Sequence, residues 1–185
     1  LCGDGRAQLI TLNRKGEELS RVRSEIFFDL ETDPLMEKPA RTEAGWVFNT
    51  FLGKVFQATT VAGKIRVNLL FNVSDDDEGW RIGGMQPVAF HEPSQLLLLL
   101  MHKGGEHTHK DPGTEVWYVN LATGATTHRL RLAVPANSIQ VSQDKSALLY
   151  AGSIAEDQVQ IYDLKTTVSR GTISDIGLPT ILQNL

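Results

Sequence analysis

One hairpin recurs along this chain, and that recurrence constrains the fold more than any single motif. An apolar strand runs into a polar turn carrying glycine and reverses into a second strand of mixed character. Its copies are Gln8 to Gly16, Val55 to Gly63 and Val116 to Gly124, with a fourth from Val159 to Thr167 that has threonine at the glycine position. The turn markers at 16, 63, 124 and 167 are about 50 residues apart, close to the ~40–50 residues of a β-propeller blade. A second pair precedes two of these hairpins: Pro87–Phe90 leading to Leu96–Leu100, and Ser138–Val141 leading to Ala147–Ala151. Two hairpins per repeat make a four-stranded unit, and such units stacked radially make a propeller.

The rest of the pattern agrees with an all-β chain. Short runs of Val, Ile, Leu, Phe and Tyr alternate with tight polar turns, and no segment sustains the i, i+3, i+4, i+7 spacing of an amphipathic helix. Ser142-Gln143-Asp144-Lys145-Ser146 is a strong turn, because Asp and Ser bond their own backbone. The unbroken leucines 96 to 100 predict an inner strand covered on both faces, since a half-exposed strand would alternate. The expectation is a partial β-propeller of three to four blades, with units at roughly 1–35, 36–84, 85–136 and 137–185. Four units, the first incomplete, cannot close a ring, and an array cut open in this way exposes an apolar face.

Charge and hydropathy exclude several functions. The 185 residues carry 18 basic and 22 acidic side chains, a net charge of −4, so nothing steers the chain toward nucleic acid or an anionic membrane. Its longest apolar run, Leu96 to Met101, is far short of the ~20 residues that span a bilayer. The chain starts without a methionine or a secretory signal, which reads as a piece of something longer. The lone Cys2 has no internal bridging partner; it is either a buried or incidental thiol, or half of a disulfide to a cysteine upstream.

Residues that could carry chemistry are few. His102, Glu106, His107 and His109 lie close together in sequence, and imidazole with carboxylate suits zinc, iron or copper. The flanking Gly104-Gly105 and Pro112-Gly113 pairs, however, place them in a loop that is longer than its counterpart in the fourth unit. An inserted loop on a rigid scaffold favours a protein-contact role over a metal site. Asp75-Asp76-Asp77-Glu78 reads as a solvated turn, because four consecutive carboxylates mostly repel. Trp46 and Trp117 sit in strand-like runs and are expected to pack in or between sheets; Trp80, flanked by glycine, could equally serve a contact surface. No nucleophile elbow or phosphate loop is present, and Ser142 is a turn residue, so no catalytic residue is expected here.

Several segments in consistent order together resemble one family. They are Cys2-Gly3-Asp4-Gly5, Gly79 to Gly84, Val88-Ala89-Phe90-His91, Glu106 with His109-Lys110, and Ser138 to Asp144 followed by Leu148-Leu149-Tyr150-Ala151. This series resembles the heavy chain of the quinone-dependent amine dehydrogenases, the methylamine and aromatic amine dehydrogenase family. The resemblance implies the C-terminal half of a seven-bladed propeller, with Gly177–Ile181 helping to close the ring. It implies a subunit with no cofactor and no metal of its own. The partner would be a small disulfide-rich light chain whose tryptophan tryptophylquinone oxidises a primary amine to aldehyde and ammonia. Electrons would pass to a cupredoxin of the amicyanin or azurin type, in a periplasmic α2β2 assembly. The family pattern also places a cysteine shortly before the position of Cys2, which favours the upstream disulfide. Trp80, Arg81, Glu106, His109 and Lys110 match the pattern in what read as loops and are the candidate subunit contacts. His107-Thr108 and Met85 depart from it, standing where an aromatic and basic pair and a tryptophan can occur. Two other classes remain beside this one: a stand-alone propeller that binds a partner or small ligand, and a metal-dependent propeller hydrolase of the lactonase kind.

Overall fold

All four hairpins close where the repeat predicts, and three of their turns share one device. In a computed structural model describing residues 6–27, 32–36, 39–62, 64–73, 79–105 and 107–176, the hairpin strands are β1 (Arg6–Leu12) with β2 (Glu18–Phe27), β5 (Lys54–Val61) with β6 (Lys64–Asn72), β10 (Gly113–Asn120) with β11 (Thr126–Ala136), and β14 (Gln158–Asp163) with β15 (Ser169–Ser174). Asn13, Asn120 and Asp163 each turn a side-chain oxygen onto backbone N–H groups ahead, those of Lys15 and Glu17, of Ala122 and Thr123, and of Lys165 and Thr166. The chain then needs a left-handed residue to reverse, which Gly16 supplies at φ 84° and Gly124 at φ 69°. Thr167 takes the same role at φ 59°, a conformation rare for a β-branched residue. The hairpin signature therefore survives in the fourth copy through Asp163 although the glycine is gone.

The remaining strands complete the units. β3 (Ala40–Arg41) and β4 (Gly45–Asn49) join β5 and β6 in one antiparallel sheet, and β12 (Ser138–Val141) and β13 (Leu148–Ser153) join β14 and β15 in another. Between them lies a sheet built from β8 (Val88–His91), β9 (Leu96–Lys103), β10 and β11, to which β7 (Trp80–Ile82) adds itself by pairing with β9. This sheet thus begins at Trp80, inside the span expected for the preceding unit. The difference arises because β7 is only three residues long and its partners, Met101 to Lys103, are remote in the chain. Among the described residues there is no α-helix, and none long and apolar enough to cross a membrane.

The leucine run occupies the position its composition demands. Leu97, Leu98, Leu99 and Leu100 are all 0% exposed. Leu98 and Leu100 pack with Ile139, Leu149 and Ala151 of the following sheet; Leu97, Leu99 and Met101 pack with Val47, Val55 and Phe71 of the preceding one. β10 divides its side chains the same way, Val116 and Tyr118 to one side, Trp117 and Val119 to the other. Neighbouring sheets are also stitched by polar bonds. Gln160, 2% exposed, donates from Nε2 to the Val134 carbonyl at 2.8 Å and accepts from the Val134 N–H at 3.1 Å. At the inner edge, Gln86 bridges Ser138 in parallel, with the Ile139 N–H donating to the Gln86 carbonyl at 2.9 Å. The turn predicted at Ser142–Ser146 forms as read, Asp144 accepting from the Ser146 N–H at 3.0 Å. Cys2, Asp75–Glu78, Glu106 and Gly177–Ile181 lie outside the described residues.

Candidate functional site

Four of the five proposed contact residues gather at one end of the central sheet, where β9 leaves for the loop 104–112. β7 lies beside the end of β9 with Trp80 opposite Lys103 and Arg81 opposite His102. Trp80 and Arg81 are therefore strand residues, where the glycines around them had suggested a loop. Trp80 is 7% exposed and its ring centroid sits 5.2 Å from that of Trp117, so it belongs to the core. The Lys103 ammonium caps the Trp80 ring at 5.4 Å, and the Arg129 guanidinium covers Trp117 at 3.8 Å, both within reach of a cation–π attraction. Trp117 is fully buried as expected, its indole N–H donating to Glu115 at 2.9 Å. Trp46 corrects the expectation made for it: 39% of its surface is exposed.

The histidines of the loop separate rather than converge. His102, 4% exposed, places Nε2 2.8 Å from the Thr108 hydroxyl, which itself donates to the Gly105 carbonyl at 2.7 Å. With its proton so committed, Thr108 accepts, and Nε2 of His102 carries the hydrogen. Nδ1 is left buried without a partner against Gly83, where any Cβ would collide with the ring. His109 instead stands edge-on to Phe51 of the preceding sheet at 4.9 Å, with His107 on the same ring at 6.4 Å. Among the described residues no three His, Cys, Asp or Glu side chains are grouped to hold a metal ion. The His109 carbonyl accepts from the Gly84 N–H at 3.1 Å, which ties the loop down onto the Gly83-Gly84 corner. The result is a tethered basic rim on which Arg81 is half-buried and Lys110 exposed.

Burial, more than any charge, depresses the basicity of His102; the nearby Asp111 opposes this and Arg81 reinforces it. An unfolded histidine takes up a proton near its ordinary 6.5, whereas the folded ring resists. Stability is therefore complete above that value and falls as the pH drops below it. Urea midpoints compared between about pH 7.5 and pH 5.5 are expected to fall less for His102→Gln than for the parent. An equal fall in both would contradict this.

Sequence reasoning missed one feature, a pocket between the third and fourth sheets that includes His91, Tyr118 and Lys165. Its residues are remote from one another in the chain, and only the stacking of two sheets brings them together.

Comparison with known proteins fits this architecture. The family model for the methylamine dehydrogenase heavy chain matches residues 1–184. The chain belongs to this family. Heavy chains of methylamine dehydrogenase from Methylorubrum extorquens and Paracoccus versutus are 28% and 30% identical to it, over 95% and 85% of this chain respectively. Those alignments cover 44% and 38% of the relatives, so this heavy-chain family member spans less than half of their length. Among solved structures, the WD40 domain of Neurospora crassa Pan2 superposes with a TM-score of 0.53 at 13% identity, over 93% of this chain and 47% of that one. Apo AztD from Citrobacter koseri gives 0.53 at 9% identity, over 92% and 42%. Identities this low speak to fold alone, and WD40 repeats are propeller blades, as the sheet stacking requires.

Proposed function

We propose that this chain is part of the large, non-catalytic subunit of a periplasmic amine dehydrogenase. The family match across residues 1–184 carries the reading, and the stacked sheets with a tethered basic rim support it. In this reading the partner is a small light chain bearing tryptophan tryptophylquinone, which supplies the oxidation of a primary amine to aldehyde and ammonia. A cupredoxin of the amicyanin or azurin type accepts the electrons, and two copies of each chain form an α2β2 assembly. The residues of this chain bind and position that partner. Arg81, His109 and Lys110 form the contact edge, and Trp80 supports it from beneath by its packing on Trp117; Glu106, a fifth contact in this reading, lies outside the described residues. Cys2 bridges to a cysteine upstream.

Co-expression of the full-length gene with a neighbouring small, cysteine-rich chain tests this. A one-to-one complex on affinity purification is expected, and Arg81→Glu combined with Lys110→Glu is expected to release the small chain without shifting the unfolding midpoint. A propeller that purifies alone while the small chain is expressed would overturn the proposal.

A further inference from the structure

The pocket between the third and fourth sheets lies at the end opposite the contact rim, and no part of the proposed function uses it. Its volume is about 400 Å³, within the range of small-molecule sites. Leu96, Ala147 and Leu164 give it an apolar lining, and His128 stands edge-on to the Tyr118 ring at 5.5 Å.

Two buried polar atoms at this pocket have no partner. Tyr118 is 3% exposed, and its phenolic oxygen makes no hydrogen bond. His91 is 4% exposed; its Nδ1 is 2.6 Å from the Ser94 hydroxyl, while Nε2 is unpaired. Buried polar groups are almost always bonded, so two orphans lining one pocket mark a place where something else supplies the partner. Their charge states are set by their surroundings. Burial first, then the charges of Asp163 and Tyr162, hold the Tyr118 phenol protonated far above neutral pH. Burial, aided by the charge of Lys165, lowers the basicity of His91, which keeps the ring neutral. The phenol O–H is a donor, and Nε2 is a second donor in the tautomer in which the Ser94 hydroxyl donates to Nδ1. Among the described residues lining the pocket Lys165 is the only charged one; Asp163 is close enough for its charge to act on Tyr118 but is not part of the lining.

We propose that this inter-sheet pocket binds a small monocarboxylate with an apolar body, its carboxylate accepting from Tyr118 and His91 and paired in charge with Lys165. Two neutral donors beside one cation fit a single anionic head. The apolar lining and the volume fit a body about the size of one aromatic ring.

The test is calorimetric titration of the full-length gene product with phenylacetate, against phenylacetamide and phenethylamine. Phenylacetate is expected to bind one-to-one at about millimolar concentration or below, and the two comparators more weakly. Tyr118→Phe and Lys165→Met are each expected to weaken phenylacetate about tenfold. Tyr118→Phe carries a second readout: removing an unpaired buried hydroxyl should leave the melting temperature unchanged or raise it, although binding is lost. Lys165 is exposed, so its replacement does not endanger folding. Absence of saturable binding, affinity untouched by both substitutions, or an amide bound as tightly as the acid would overturn the proposal, leaving ordered water as the partner of the two orphans. Because no light chain enters the titration, this result and the heavy-chain reading stand or fall separately.

Discussion

Truncating Leu98 or Leu99 to alanine is expected to destabilise the full-length protein by about 3 kcal/mol in either case. The equality matters more than the size. These two neighbours point to opposite faces of β9, Leu98 into the interface with the following sheet and Leu99 into the interface with the preceding one. On a sheet with one solvated face, one substitution would cost several times the other. In a radial stack both faces are interior, both leucines are 0% exposed, and each truncation leaves a cavity that packed neighbours cannot fill. Leu69 on β6 provides the contrast at 54% exposed, and its replacement by alanine should cost no more than about 0.5 kcal/mol. Urea unfolding of the three variants checks the pattern, and unequal costs at 98 and 99 would contradict the stacking.

Gly84→Ala is expected to cost at least as much, about 3–4 kcal/mol, by a different route. Gly84 has φ 101°, a conformation that disfavours any side chain, and a Cβ there would lie 2.6 Å from the Asn137 carbonyl oxygen. That oxygen cannot retreat. It accepts from the N–H groups of Met85 at 2.6 Å and Gln86 at 3.2 Å, and the Asn137 N–H donates to the Gly152 carbonyl at 2.7 Å. The Asn137 side chain is held too, accepting from the Ile154 N–H at 2.9 Å. A methyl group at 84 must therefore pry apart the inner link between two sheets. Gly79→Ala separates the two contributions, because Gly79 has φ 81° but open space around its missing Cβ. It should carry only the conformational cost, about 1–2 kcal/mol. If the two variants unfold at the same urea concentration, the clash at Asn137 is not the reason glycine is needed at 84.

Much of the fold was legible because it is written in local chemistry. A polar turn with its left-handed residue and strands of fixed apolar character recur in register, so Gly16, Gly124 and even Thr167 mark hairpins without reference to distant parts of the chain. The unbroken leucines likewise announce two buried faces. What the sequence could not show depends on partners far along the chain. β7 is too short to display a period, and its place follows from Met101–Lys103. Trp80, flanked by glycine, reads equally as a packed residue or a contact surface until Trp117 is seen against it. His107 and His109 read as members of an inserted contact loop, but that they lie against Phe51, rather than beside His102, could not be read from their spacing. Trp46 shows the reverse case, a strand tryptophan whose alternating pattern did not tell which of its faces met a neighbour. The inter-sheet pocket is the extreme one, since His91 and Tyr118 acquire Lys165 only when two blades meet.

The most direct test of the central claim is a visible absorption spectrum of the full-length gene product, purified with its co-expressed neighbours, before and after addition of methylamine or tyramine. The heavy-chain account predicts a co-purifying small subunit with a quinone band that bleaches on adding amine, the faster of the two amines indicating the substrate class. A colourless propeller that purifies alone, although the neighbouring small chain is expressed, would contradict it.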